Sequence, residues 1–337
     1  MHLTQRPWSA NCYALSKVWF RCYCVDLRVL DITAINSKVK SWLYGDLLLK
    51  PEEMILFRPP CQGGLGLLNI KIRSQACLIK TFLETASNPN FQQNIFHSTL
   101  FRYHVLGETS LPNLGTPPYY PPAFFSRIQQ VHENSPLNIT RMTLKQWYLL
   151  LLEDQVLMTD TAGQREYLPS KVEQLHPDVD WTNTWRLARL PGLGSEHCSF
   201  LFRLLHNLLT TRESLNRINS SSTITCRLCQ DNIPEDQTHA LFSCSFNNEA
   251  GQRLLDVLDT SPEKLLRLEV TVEDDLEFPA TWLTSAVLLS IWSYRNIAKK
   301  IRLYSIRAEV ESKVALLRET RYRPAAEKIA ILLDRYN

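Results

Sequence analysis

The sequence predicts a mainly α-helical protein, and three observations carry that reading. Apolar residues recur every three to four positions along most of the chain, which places them on one face of a helix. Capping residues and prolines stand where those stripes begin and end. A single short cluster of cysteine and histidine interrupts the helical pattern, and neither a solenoid-length repeat nor a long heptad run is present.

Residues 14 to 50 read as two helices, with Leu15, Val18, Trp19 and Cys22 on one apolar face and Ile35, Val39, Trp42 and Leu43 on the next. The segment MILFRPPCQGGLGLLNIKI is expected to start extended, break at Pro59 and Pro60, and turn tightly against a packed neighbour through Gly63, Gly64 and Gly66, where backbone freedom is greatest. Asn69 is a candidate N-cap for a helix whose face runs Ile72, Ala76, Ile79, Phe82, Leu83 and Ala86. Asn94 to Leu106 gives a further helix. Five prolines between residues 112 and 122 mark an extended linker.

Arg141 to Met158 is predicted helical through Leu144, Trp147, Tyr148, Leu151 and Leu152, with a polar loop to Pro169. Trp181 and Trp185 open a new packed unit. There Ser195 is the candidate N-cap of a helix bearing Phe200, Leu201, Leu204, Leu205 and Leu208, and Thr210 with Glu213 makes a capping-box pattern. Glu249 to Leu258, Thr281 to Lys300, and Tyr304 onward complete the helices, with a break near Pro324. The expected segments are a helical region at 1–110, a Pro-rich linker at 111–140, a helix and polar loop at 141–180, a cysteine-bearing domain at 181–300, and C-terminal basic helices at 301–337.

The chain is 45% apolar and 21% charged, enough for about two or three domains with true cores. Nine cysteines, an odd number, favour a reducing compartment over a disulfide scaffold, so an intracellular, nuclear or cytoplasmic location is expected. Gln5, Arg6, Asn11, Ser16 and Lys17 interrupt any signal-peptide core. Apolar runs such as Trp147 to Leu152 are too short to span a bilayer, so no membrane partner is expected.

The net charge of +3 is uninformative as a sum, but it is unevenly spread. Between Glu249 and Ala280 nine acidic residues face three basic ones, whereas from Ile291 to Asn337 eleven basic residues face five acidic. Either the two tracts neutralise one another or the second forms a basic helical face.

Cys226, Cys229, His239 and Cys244 form a C-x2-C-x9-H-x4-C pattern. The close cysteine pair lets two thiolates reach one tetrahedral ion, and the polar loop QDNIPEDQ can return His239 beside them. Three thiolates and an imidazole fill all four positions of zinc and leave none for a reacting water, so the zinc would be structural. Leu241, Phe242 and Phe246 are its expected apolar floor. The competing readings are three ordinary buried cysteines, or a redox pair, which would need a thioredoxin-like βαβ setting. Cys12, Cys22, Cys24 and Cys61 lack matching histidines. Cys77 suits an apolar helix face, and His197 and Cys198, adjacent at a helix start, cannot converge as a catalytic pair.

The order of SKVW, KVKSWLYGDLLLKPEE, RPPCQGGLGLLN, FLETASNP, LLHNLLTTRESL, CRLC to HALFSC, and IWSYRN resembles the C-terminal part of reverse transcriptases of non-LTR, LINE-type retrotransposons, including their zinc-binding domain. The resemblance covers most of the chain. It implies a thumb and linker region up to about residue 110, zinc on Cys226, Cys229, His239 and Cys244, and contact with RNA or DNA. The paired aspartates of the polymerase motif are missing: Asp274 and Asp275 lie in VEDDLEF, read as a solvated loop, and Glu311 with Lys313 reads as a chance nuclease-like triplet. No enzyme activity is therefore expected.

The expected function is a non-catalytic, zinc-dependent, nucleic-acid-binding remnant of such a protein, without palm or endonuclease. Arg227, between the first two ligands, and Arg295, Lys299 and Arg302, on one helical stripe at i, i+4 and i+7, are the candidate nucleic-acid-binding residues. Arg203, Arg212 and Arg217 add cations on the preceding helices. The alternative is a zinc-stabilised scaffold that contacts protein through the Pro-rich linker.

Overall fold

The structure is a computed structural model that describes residues 2–22, 27–45, 47–87, 128, 139–159, 165–167, 169–229, 231–246, 248–270, 272–297 and 303–335. It is mainly helical. The chain divides into two compact units: one formed by Trp8–Leu43 and Leu67–Leu168, the other by Met1–Pro7, Tyr44–Gly66 and Pro169–Asn337. These boundaries differ from the segments expected at 1–110 and 181–300, because residues 44–66 join the cysteine-bearing unit. The helix expected at Asn94 to Leu106 and most of the Pro-rich linker lie outside the described residues.

The helices of the N-terminal region are α1 (Ser16–Cys22) and α2 (Val29–Tyr44). The segment expected to begin extended instead forms one helical turn, α3 (Glu53–Phe57), because Ile55, Leu56 and Phe57 are buried together. Asn69 caps α4 (Ile70–Ser87) as expected, its Oδ1 accepting from the Ile72 amide at 3.2 Å. Thr143 and Gln146 exchange hydrogen bonds at the start of α5 (Leu144–Val156). That helix ends two residues early, and β1 (Leu157–Thr159) pairs antiparallel with β2 (Arg165–Tyr167). The predicted stripes of α4 and α5 meet in one core, with Ile72, Ile79, Phe82 and Leu83 against Trp147, Tyr148, Leu151 and Leu152.

The second unit continues through α6 (Lys171–Leu175), α7 (Trp181–Leu187), α8 (Ser195–Leu205) and α9 (Arg212–Ile218). After the cysteine cluster come α10 (Asn248–Leu258), α11 (Pro262–Leu266), α12 (Glu277–Asn296), α13 (Leu303–Arg318) and α14 (Arg323–Arg335). Two caps sit one residue from their expected places. Gly194, not Ser195, precedes α8, and Thr211, not Thr210, caps α9 by accepting from the Ser214 amide. Leu208 lies beyond α8, which stops at a left-handed Asn207. Pro324 stands in the first turn of α14, where its missing N–H costs nothing.

Helix α12 is the centre of this unit. Pro279 through Trp292 are buried without a break, the pattern of a helix surrounded on all faces. Around it pack Phe200, Leu201, Leu204 and Leu205 of α8, Leu254 and Leu258 of α10, Val310 of α13, and Ile329 and Leu333 of α14.

The glycine turn also finds its packed neighbour here. A Cβ on Gly63, which has φ +75°, would come within 2.4 Å of the Trp185 ring. The Trp185 indole donates to Glu173 at 2.8 Å, and Arg58 grips the same carboxylate with bonds of 2.8 and 3.2 Å. Burial alone would raise the Glu173 pKa, but the donors Arg58, Ser170 and Trp185 override it and hold the carboxyl below its ordinary value.

Candidate metal centre

The ligands come from two local structures that the sequence builds for different reasons. The first is a short hairpin, in which the Cys226 amide donates to Ile233 O at 3.0 Å and the Glu235 amide to Ile224 O at 2.9 Å. Asn232 takes a left-handed conformation in its turn, with φ 52°, a region that asparagine tolerates better than most residues. At the other end of the Cys226–Cys229 knuckle, the Leu228 amide donates to the Cys226 sulfur at 3.4 Å.

The second is a π-helical turn, His239–Ser243. The Cys244 amide donates to His239 O at 2.8 Å, the i to i+5 pattern of a π turn. This explains the x4 spacing. An α-helix would rotate residue 244 well away from residue 239, whereas the wider turn returns both to one side. Asp236 Oδ1 accepts from the His239 amide at 2.6 Å and starts the turn.

All four ligand atoms lie within 4.8 Å of one another, and all four residues are buried. The Cys226 and Cys244 sulfurs are 3.8 Å apart, and the Cys229 sulfur is 3.4 Å from His239 Nε2. Zn–S bonds of about 2.3 Å and Zn–N bonds of about 2.0 Å place tetrahedral ligands roughly 3.5 to 3.8 Å apart, so these separations fit a zinc ion. The same sulfur separation is far beyond a disulfide bond of about 2.05 Å. Burial, reinforced by the neighbouring thiols, pushes Cys244 up to about 12, and burial also raises Cys229. Without a cation these thiols would stay protonated; a bound divalent ion is what makes the donor set stable as thiolates. His239 Nδ1 faces Ser243 Oγ at 3.5 Å, leaving Nε2 for the metal.

Leu228 and Phe246 pack against the cysteines, but Leu241 and Phe242, expected in this floor, belong to the main core instead. That placement joins the site to the helices. Helix α10 crosses the π turn so closely that a Cβ on Gly251 would lie 2.2 Å from Leu241 O. No βαβ unit surrounds the cysteine pair among the described residues, as a redox role would require.

Arg227 is exposed on the hairpin, between the two ligands. Arg295 is not available on a surface. Its side chain, 9% exposed, forms an ion pair with Glu235, which is 1% exposed, and its guanidinium lies 5.1 Å from the Trp292 ring centroid. The expected stripe of Arg295, Lys299 and Arg302 is corrected at its first residue, because Arg295 turns inward to neutralise a carboxylate from the cysteine hairpin. Lys299 and Arg302 lie outside the described residues.

Glu235 is the residue that sequence reasoning missed. Besides pairing with Arg295, its Oε1 accepts from the Arg212 amide at 3.1 Å, and its backbone carbonyl accepts from the Glu213 amide at 3.1 Å. The carboxylate thus sits at the positive N-terminus of α9 and ties the hairpin to α9 and α12. Asp275 pairs with Lys328, linking the acidic tract to the basic one. Glu311 and Lys313 are engaged in helical ion pairs with Arg307 and Glu309.

A closed Cys3His cluster built into a helical unit defines the class: a domain whose hairpin and turn together offer the donors for one metal ion. Residues 170–250 match a family model described as zinc-binding in reverse transcriptase, a span that runs from the cap of α6 into α10 and contains all four ligands. Residues 170–250 are therefore similar to the zinc-binding domain of reverse transcriptases. No curated protein matches the chain. No helix among the described residues is long and apolar enough to cross a membrane.

Proposed function

We propose that this chain is a non-catalytic nucleic-acid-binding protein derived from the C-terminal part of a LINE-type reverse transcriptase, and that its zinc ion is structural. The observation that carries the reading is the family match over residues 170–250 together with a donor set that fills tetrahedral zinc. In this reading zinc fixes the hairpin that presents Arg227 to a phosphate backbone, and RNA or DNA is the partner. Binding is then dominated by phosphate contacts, so it weakens steeply with salt and tolerates changes of sequence.

One observation favours a second reading. Arg295 is consumed by Glu235, and Lys328 by Asp275, so part of the basic tract serves the fold. In that reading the domain is a zinc-stabilised scaffold that meets protein through the Pro-rich linker. Titrating single-stranded RNA and DNA onto the zinc-loaded chain across a salt series separates the two. The first predicts a linear fall of log K with log salt and weaker binding by Arg227→Ala. Absence of binding at low salt would reject it.

A further inference from the structure

Each of the three cysteines in the cluster has a backbone amide directed at its sulfur. The Leu228 amide donates to Cys226 Sγ at 3.4 Å. The Asp231 amide serves Cys229 and the Phe246 amide serves Cys244, and both favour the thiolate against the effect of burial. The offset is the same in all three, since every donor stands two residues after its cysteine. An amide so placed spreads part of the charge that sulfur keeps on binding a cation. It therefore orients the thiolate and lowers its reactivity toward electrophiles.

The first of these donors is enclosed by ligands, because Leu228 lies between Cys226 and Cys229. The other two stand where the chain leaves the cluster, Asp231 in the turn of the hairpin and Phe246 ahead of α10. These two exits are joined to each other. Ser245 Oγ donates to Asp231 Oδ2 at 2.8 Å, between residues fourteen positions apart. The bond restrains Asp231 through its side chain and Phe246 through its chain neighbour. The backbone bonds of the hairpin, from the Cys226 amide to Ile233 O and from the Glu235 amide to Ile224 O, join its strands to one another and not to the segment that bears Cys244. Asp231 and Ser245 are both exposed, so water competes for their bond and its weight in the global stability is small. What it limits is the separation of the two segments.

We propose that Asp231 and Ser245 are positioning residues of the metal centre. They form a clasp that keeps the amides of Asp231 and Phe246 on the Cys229 and Cys244 sulfurs, and so slows both loss of the metal and attack on its thiolates. The inference rests on the zinc reading of the cluster. Opening the clasp leaves all four ligands in place, so it changes the rate of exchange and not the number of ions bound.

The test uses the full chain loaded with zinc, or with cobalt(II) as a spectroscopic probe. Ser245→Ala and Asp231→Ala are expected to keep one ion per chain and the circular dichroism of the unaltered protein. They should release zinc to a chromophoric chelator about tenfold faster, the lower end of the range for outer partners of metal ligands. Under excess zinc, iodoacetamide should alkylate Cys229 and Cys244 faster, mapped by mass spectrometry, while Cys226 keeps its rate. In the cobalt form the sulfur-to-metal charge-transfer bands should move to lower energy as the amide donors are lost. Ser245→Thr and Asp231→Asn keep the donor and the acceptor and should restore slow release. Unchanged release and unchanged bands in both alanine variants would overturn the clasp and leave the zinc reading intact. Equal acceleration of alkylation at all three cysteines would also overturn it, as a general loosening of the site. Failure of the unaltered chain to retain zinc would reject the metal reading and the clasp together.

Discussion

The Glu235 carboxylate lies in a place almost closed to water, where it meets the Arg295 guanidinium and the amide of Arg212 at the start of α9. Removing one member of such a pair strands the other, at a cost of about 3–5 kcal/mol. Glu235→Gln should therefore lower the free energy of unfolding by an amount of that order in urea titrations. The double change Glu235→Leu with Arg295→Met should be much less costly than the sum of the single changes. Additive losses would show that the pair is not coupled. The metal ligands make a different prediction. Cys226→Ser should reduce bound zinc from one ion per chain to none, with loss of hairpin structure and retention of most helical circular dichroism. Full zinc content in that variant would reject the site.

Helix α10 and the π turn show how an element positions a ligand without touching it. The backbone of α10 approaches Leu241 O so closely that only glycine fits at 251, and Leu241 lies between His239 and Cys244. Gly251→Ala must move one backbone against another, since no flexible side chain can yield. The expected outcome is weaker zinc retention in a chelator competition and a stability loss of about 1–3 kcal/mol, the range of an overpacked core. Unchanged chelation kinetics would mean that the turn holds its shape without α10. Helix α12 has the opposite character. Its uninterrupted burial comes from its place at the centre, and its polar residues are absorbed locally, as Ser285 donates to Trp282 O at 2.8 Å and receives His197 Nδ1 at 2.8 Å.

Away from the cysteine cluster, the cysteine-bearing unit buries His197 and His206, and these two contribute to its response to acid. His197 and His206 are each lowered from 6.5 to about 4, chiefly by burial. His206 donates from Nε2 to Gly63 O at 2.7 Å and stacks on Trp185 at 4.8 Å. Because the unfolded chain takes up these protons first, their contribution is fully present above pH 6.5. It declines between about 6.5 and 4 and changes no further below that. Each histidine adds a slope of at most about 1.4 kcal/mol per pH unit in this window. Denaturant titrations from pH 7 to 4 should give a shallower decline for His206→Gln than for the unaltered chain. Equal slopes would show that His206 is not held neutral.

The clustering of Cys226, Cys229, His239 and Cys244, the helical class and the amphipathic pair α4 and α5 were readable from the residues alone, because each depends on spacing within one short segment. Even the x4 interval between His239 and Cys244 is a local property, although its π-turn form emerges only in three dimensions. The roles of Arg295 and Glu235 were not readable in this way. A helical stripe tells which residues share a face, and it does not tell whether that face meets water or a carboxylate sixty residues upstream. The same holds for Arg6 and Arg203, which line one cavity, and for residues 44–66, which join the cysteine-bearing unit beside Trp185. Tertiary packing decided these, since burial and charge pairing depend on neighbours that are distant along the chain.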